Sequence, residues 1–541
     1  MKKRYLITLV ATMFAVLALA QQVASTSKVD KNLAIYIDVW RQLDMSYCDT
    51  LNYDKLLESS INQMLVKVDP YTVYIPAAKT SDLRLMTTGK YGGIGAIIMQ
   101  RDKKIMISDP YFGMPAQRND VRAGDEILSV DGVKTEGKNT SDVSFMLRGT
   151  PGTTVNLVLR REGEKNPIKR SFEREQIKMP PVDYYCVFER KDGGKTGYVS
   201  FNDFTEDSSE RLQEAIQSMV DSDNINALVI DLRNNGGGII DEAVKIVGLF
   251  VEKGTIVVDT KGRNNKSERV YRTPFQPKYK DMQLAVLVNH SSASASEIVA
   301  GALQDLDRAT IVGTRTYGKG LVQSIRPVAY DGHLKVTTAK YYIPSGRCIQ
   351  AIDYSKRRDD GSVERMPDSL THEFKTKHGR IVRDGGGIEP DTLINDSAKY
   401  DISFALYAKN MYFDFATHYR ATHDSIAPID QFVITDDIFN EFVAYLEEHN
   451  FIYETETNRY FKGLYDMAKM EDLQEETMKL IEELQPLLKP DFRPAIYRNR
   501  ERVEEYLGVE IIGRYYFQKG RTTYQLRYDD WLKRALNIFD E

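Results

Sequence analysis

Ser294 and Lys319 carry the chemistry that this sequence offers most clearly. The segment NHSSASASEIVAGALQD (residues 289–305) sets a run of small residues ahead of an apolar helix, and TYGKGLVQS (316–324) places a lysine between two glycines, twenty-five residues after the serine. A serine hydroxyl is a weak nucleophile until a base within hydrogen-bond reach takes its proton. A lysine amine can be that base only when neutral, which from a reference pKa of about 10.4 requires burial to lower it by several units. Lys319, with Gly318 and Gly320 around it and Leu321 and Val322 behind, suits a desolvated amine, and Gln323 can orient it without adding negative charge. Ser294 opens the predicted helix, so unpaired N–H groups and the positive dipole end lie beside it. The Ala295 N–H can then point at a developing oxyanion, and Gly237, in the glycine run after ALVIDLR, can supply the second donor. Donors of this kind contribute roughly 2.7–4 kcal/mol each in the transition state. The same residues also have a plain structural reading. Ser294-Ala-Ser-Glu297 is a capping box and Lys319 a turn residue, and spacing alone leaves both readings open.

The elements around these residues decide what they can do together. From about residue 177 the pattern is strand, helix, strand. GYVSF (197–201) precedes a helical run over 208–219, ALVIDLR (227–233) precedes Gly236-Gly237-Gly238 and a helix over 240–250, and AVLVN (285–289) precedes the serine run. TIVG (310–313) follows the serine helix. Strands alternating with crossover helices predict an α/β core with a parallel-rich sheet, and in such sheets sites form at the carboxyl ends of strands. The glycine run and the serine run both occupy that place. The core spans 177–393 in this reading, with residues 350–386 as a charged surface insertion near the site. Before it, residues 83–176 form a small, mostly β module of short strands and turns such as Arg122-Ala123-Gly124-Asp125. Helix-period apolar positions mark a helical N-terminal region over 21–82 and a helical C-terminal region over 394–541, the latter read as a packing or dimerisation unit.

Residues 1–20 read as a signal peptide. Lys2, Lys3 and Arg4 precede an apolar run over 5–17, and Ala18-Leu19-Ala20 has the form of a signal-peptidase site, so an exported, periplasmic or secreted protein without a stable membrane span is expected. The 541 residues are 42% hydrophobic and 28% charged, a globular composition sufficient for several domains. A net charge of −5 with mixed signs argues against a nucleic-acid partner. Three scattered cysteines and seven histidines without ligand spacing give no metal site, and no cofactor is expected. Ser25-Thr-Ser-Lys28, Lys195-Thr-Gly197 and Ser222-Asp-Asn224 match the motifs of penicillin-recognising enzymes, but the order is wrong and the first lies in the linker after the signal segment.

Read together, YGGIGAII, PAQRNDVRAGDEILSVDG, DLRNNGGG, SASASEIVAGALQD, GTRTYGKGLVQ, YYIPSGRCIQ and GGGIEPD resemble, in order, the motifs of the carboxyl-terminal processing peptidases, or tail-specific proteases. The resemblance covers roughly residues 30–395. It implies a PDZ domain joined to a Ser-Lys peptidase core of ClpP/crotonase-like α/β fold, an exported endopeptidase that cleaves proteins at or near their C-termini. Position by position it implies Ser294 as nucleophile, Lys319 as general base, Gln323 as the residue orienting the lysine, Ala295 and Gly237 as oxyanion donors, and Asp305 as an acidic position associated with the dyad. Gly92, Gly93, Ile94 and Gly95 resemble the PDZ loop that holds a terminal carboxylate while the strand edge pairs with the peptide. The implied partners are polypeptides with accessible C-termini, with homo-oligomers or an adaptor as further expectations. Two positions depart from the family: Gly236 stands where proline is common, which loosens the oxyanion turn, and Asn119-Asp120 replaces Ala-Gly in the PDZ module. The alternative reading is a proteolytically inactive PDZ adaptor, and a trypsin-like protease lacks its His, Asp and G-x-S-G here.

Overall fold

The computed structural model describes residues 28–79, 89–263, 268–358, 362–395, 401–453, 455–488 and 491–540. The signal-peptide segment lies outside these residues. At the centre is a six-stranded sheet whose strands lie in chain order: Val182–Glu189, Lys195–Phe201, Ala227–Asp231, Gln283–Val288, Thr310–Gly313 and Thr392–Leu393. The first pair is antiparallel and every later pair is parallel. Because consecutive parallel strands are neighbours and crossovers share one hand, the connecting helices collect on one face of the sheet. Helices Ser208–Asp223, Ile240–Gly248 and Ala295–Asp305 do so, packing with Leu228, Ile230, Leu284, Val286, Val288 and Ile311.

Strand residues alternate between faces, so Tyr198, Val229, Ala285, Leu287 and Val312 point the other way and need a second cover. The end of the chain supplies it. Helix Asp530–Asn537 lays Leu532 and Ala535, both fully buried, across that face. The C-terminal region is therefore part of the peptidase core as well as a bundle of its own around Phe415, Phe439, Phe442, Leu507 and Ile511.

A second, five-stranded antiparallel sheet stands beside the first. It comprises Val73–Ile75, Ile256–Gly262, Arg269–Arg272, Leu321–Pro327 and His333–Tyr342. Helical periodicity gave no sign of its first strand: the N-terminal region is helical over 28–46 and Tyr53–Val66, then extends into Val73–Ile75 and pairs with His333–Lys335. The 350–386 segment, expected as a surface insertion, includes a small hairpin (Glu373–Lys375 with Ile381–Arg383) held to the end of the serine helix by Arg380 and Asp307.

The PDZ module is a sheet in the order Ala96–Arg101, Lys104–Pro110, Glu126–Val130, Thr154–Arg160, Ile168–Glu173, with helix Thr140–Leu147 alongside. Asn139 and Asp142 cap that helix reciprocally, which fixes where it starts. The module leans on the C-terminal bundle through Arg101 to Asp414, Arg521 to Asp109 (2.9 Å) and Phe112 against Phe517 (5.4 Å between ring centres). Leu532→Ala leaves a cavity under the last helix and should cost about 2–5 kcal/mol, read as a lower thermal midpoint of the whole chain.

Candidate active site

Ser294 and Lys319 come from different sheets. Ser294 follows the core strand Gln283–Val288 and heads the helix Ala295–Asp305, whereas Lys319 sits in the turn entering Leu321–Pro327 of the second sheet. One buried carboxylate joins them. Glu297 Oε2 accepts the N–H of Ser294 and the N–H of Lys319, each at 2.9 Å. Glu297 Oε1 accepts the Gly318 N–H (2.7 Å) and the Thr316 hydroxyl (2.5 Å). Burial pushes the Glu297 carboxyl above its ordinary range, and these four donors offset part of that cost. Tyr341 adds a second tie: its hydroxyl donates to the Lys319 carbonyl (2.6 Å) and lies 3.2 Å from that of Ser294.

The serine backbone is in an unusual conformation, φ 55° and ψ −113°, a region that costs about 1–3 kcal/mol for a non-glycine residue. The surrounding turn holds it there. Asn235 O accepts the Ala293 N–H (3.0 Å) and the Ser296 hydroxyl (2.9 Å), and Ser292 Oγ donates to Leu232 O (2.7 Å). The expected oxyanion donors are neighbours: a Cβ placed on Gly237 would stand 2.7 Å from Ala295 N and 2.8 Å from Ser294 Cβ, so at φ +95° only glycine fits. The Ala295 N–H makes no hydrogen bond among the described residues. The Gly237 N–H, in contrast, donates to Asn235 Oδ1 at 2.9 Å. Asn235 is held in that orientation by its Nδ2, which donates to Phe201 O (2.7 Å). The N–H expected to be the second oxyanion donor is thus engaged by a side chain in this conformation.

The lysine amine is not hydrogen-bonded to the serine hydroxyl. Its Nζ lies 4.6 Å from the ring centre of Tyr71 and makes no hydrogen bond among the described residues. Burial, followed by the nearby Lys335 charge, lowers its pKa to about 8, while Glu297 and Asp69 pull it upward. Gln323 does not reach it; its amide faces Leu321 O (3.3 Å) and Thr337 Oγ1 (3.4 Å) because the strand pairs Gln323 with Thr337. Asp305 is also apart from the dyad. It ends an eleven-residue helix that Ser294 begins, so the two are separated by roughly 16 Å along the axis. Its fully buried carboxylate instead pairs with Arg347 (2.8 Å) and accepts the Ser345 N–H (3.0 Å).

In the PDZ module, Gly92 and Gly93, expected in the loop, end a short strand (Lys90–Gly93) paired with Glu175–Lys178, and Ile94 and Gly95 carry the chain on to an open groove of about 320 Å³ between strand Ala96–Arg101 and helix Thr140–Leu147. Ile94 itself points into the PDZ core, and the N–H groups of Ile94 and Gly95 are unpaired among the described residues. Strand Ala96–Arg101 is the edge of its sheet, so its outer backbone groups are available to a peptide strand.

Comparison with known proteins agrees with this arrangement. The pattern of peptidase family S41 matches residues 195–355, that of a PDZ domain matches 106–161, and that described as "Probable PDZ-protease, C-terminal helical domain" matches 402–539. The carboxy-terminal-processing protease of Bartonella bacilliformis is 36% identical over 343 residues, covering 62% of this chain and 77% of that protein. The chain belongs to peptidase family S41. It is a serine protease with a PDZ domain. A probable CtpA-like serine protease of Staphylococcus aureus is 35% identical over 347 residues, covering 64% of this chain and 68% of that protein. The solved photosystem II D1 C-terminal processing protease is 25% identical and covers 68% of this chain and 95% of its own, with a TM-score of 0.37.

Sequence reasoning singled out Glu297 only as a helix cap and missed Asn235, Tyr341 and Tyr71. Asn235 and Tyr341 were legible as members of DLRNNGGG and YYIPSGRCIQ, but nothing in spacing says that an asparagine side chain will take a glycine N–H.

Two outcomes follow for this family member. Glu297→Gln swaps acceptor lone pairs for N–H donors that face N–H donors, so turnover should fall about 100-fold or more and stability by about 2–3 kcal/mol, checked by peptide cleavage and thermal melting. A base that is neutral above about 8 makes turnover rise with pH and level off beyond that value, and Lys335→Gln should move the midpoint upward. A flat profile between pH 6 and 9.5, with chemistry rate-limiting, would count against Lys319.

Proposed function

We propose that this chain is an exported serine endopeptidase that cleaves proteins at or near their C-termini, with its PDZ groove taking the substrate tail. The observation that carries the Ser-Lys reading is the single Glu297 oxygen accepting the N–H groups of both Ser294 and Lys319, which keeps nucleophile and base in register. In the proposed cycle the neutral Lys319 amine leaves the Tyr71 ring and takes the Ser294 proton as Oγ bonds to the scissile carbonyl carbon. The carbonyl oxygen becomes an oxyanion held by the Ala295 N–H and by the Gly237 N–H once Asn235 releases it. The Lys319 ammonium returns its proton to the departing amine, leaving an acyl-enzyme. Water then attacks the acyl carbon as Lys319 accepts its proton, the acyl C–Oγ bond breaks to release the new carboxyl end, and Lys319 returns the proton to Ser294 Oγ.

Export is supported by the basic start, apolar run and Ala18-Leu19-Ala20 of the sequence. Among the described residues no helix is long and apolar enough to cross a membrane. Tail capture is supported by the open edge of Ala96–Arg101, the unpaired N–H groups of the loop and apolar groove residues such as Ile97 and Leu147. The relatives named as carboxy-terminal-processing proteases support the same substrate class.

The test uses the full chain and an internally quenched peptide ending in an apolar residue with a free carboxylate, beside the same peptide with a C-terminal amide. Wild type should cleave the acid at least tenfold more efficiently than the amide, and Ser294→Ala should cleave neither. Equal cleavage by Ser294→Ala and wild type removes the nucleophile assignment. Equal cleavage of acid and amide removes the tail reading.

A further inference from the structure

We propose that Asp529, on the C-terminal helical domain, is a positioning residue for the oxyanion turn and acts through Arg233. The inference rests on the reading of Ser294 and Gly237 given above. Arg233 follows the core strand Ala227–Asp231 and lies four residues before Gly237. Its guanidinium is held from two sides. Nε donates to both oxygens of Asp231 (2.9 and 3.0 Å) and Nη2 to Asp231 Oδ2 (2.5 Å). Nη1 donates to Asp529 Oδ1 (3.1 Å) and Nη2 to Asp529 Oδ2 (2.5 Å), a two-armed fork that fixes direction as well as distance. All three side chains are largely buried, and the two carboxylates hold the guanidinium far above its ordinary pKa against the cost of burial.

Asp231 already supplies a counter-charge, so charge balance alone does not call for Asp529. What Asp529 adds is a fixed point outside the turn. Asp231, whose carboxylate also accepts the Tyr198 hydroxyl (2.8 Å), belongs to the same strand end as Arg233, whereas Asp529 enters from 296 residues away and fixes the outer edge of the guanidinium. It is the N-cap of the last helix, accepting the Leu532 N–H at 2.9 Å, and that helix is anchored over the core sheet by Leu532 and Ala535. Trp531 lies under the guanidinium, 5.7 Å from its carbon to the ring centre.

From Arg233 the constraint runs straight into the oxyanion turn. Asn234 and Asn289 exchange two hydrogen bonds of 2.9 Å, the first from the Asn234 N–H and the second from Asn289 Nδ2. Asn235 is bonded to Phe201, Gly237, Ala293 and Ser296. In this proposal a displaced Arg233 pulls on Asn234 and Asn235, and through the Asn235 bond alters the placement of the Gly237 N–H relative to Ser294. Asp529 touches no reacting atom, so its effect is on placement. The same domain grips the PDZ module, with Gln518 bonded to the Phe112 N–H (3.2 Å) and to Pro110 O (3.1 Å).

Asp529→Asn isolates the ion pair, because asparagine keeps the shape and the helix cap and leaves Arg233 paired with Asp231. With the full chain and the quenched free-acid peptide, kcat should fall about ten- to hundredfold, since a misplacement near 1 Å costs on the order of 100-fold. KM, and the tail affinity measured in a Ser294→Ala background, should stay within about twofold. Labelling of Ser294 by a fluorophosphonate should slow in parallel with kcat, and Asp529→Glu, which restores the charge, should recover most of the loss. The proposal is overturned by a kcat within twofold of wild type, by a fall in kcat no larger than the fall in folded fraction, or by Asp529→Glu performing no better than Asp529→Asn. If instead Ser294→Ala cleaves like wild type, the underlying site reading fails, whatever the Asp529 variants do.

Discussion

Glu297 places a buried carboxylate where donors converge from two layers of the protein, and the backbone segments bearing Ser294 and Lys319 are registered through one of its oxygens. A serine on one sheet and a lysine on another have no covalent reason to stay aligned over the length of a hydrogen bond. Hydrogen bonds to an ionised acceptor are shorter and stronger than neutral ones, and a low-dielectric surrounding strengthens them further. The cost is desolvation of the carboxylate, which is why its donors are backbone N–H groups and one threonine hydroxyl, all directed at it. Tyr341, reaching from the second sheet to the carbonyls of the same two residues, closes the junction from the other side.

Around that fixed junction, the reactive groups themselves are held back. The lysine amine lies over Tyr71 and the Gly237 N–H is taken by Asn235. Both restraints are weak compared with the framework: the lysine's contact with the Tyr71 ring, worth about 0.5–2 kcal/mol while the amine is charged and less once it is neutral, and one neutral hydrogen bond of about 0.5–1.5 kcal/mol net. A bound peptide that offers a carbonyl oxygen to the glycine N–H and excludes water around the amine can outcompete each of them. The scaffold is rigid where alignment is needed and yielding where charge will move.

Much of this was legible in the sequence, for a physical reason. The strand–helix alternation fixed the parallel core, and the rule that sites gather at strand ends pointed to the glycine run and the serine run, which do meet at Gly237, Ala295 and Ser294. The second sheet was not legible, because Val73–Ile75 pairs with residues about 260 positions away, beyond any local periodicity. Asp305 illustrates the limit of positional analogy. Its spacing from the serine is right, but an eleven-residue helix carries it to the far end, where Arg347 needs a partner. Gln323 is on the correct strand, and its cross-strand register turns its amide toward Thr337. The C-terminal region read as a packing or dimerisation unit because its helical pattern carries no mark of the bare sheet face that its last turns cover.

That last cover has a consequence for how the molecule comes into being. The helix over the second face of the central sheet is drawn from residues 530–537, while the ring beneath the lysine comes from residue 71. A ribosome that has produced every residue of the peptidase motifs has still left Tyr198, Val229, Ala285, Leu287 and Val312 exposed to water. A chain without that helix therefore presents an apolar sheet face to water, the kind of surface that associates with other apolar surfaces.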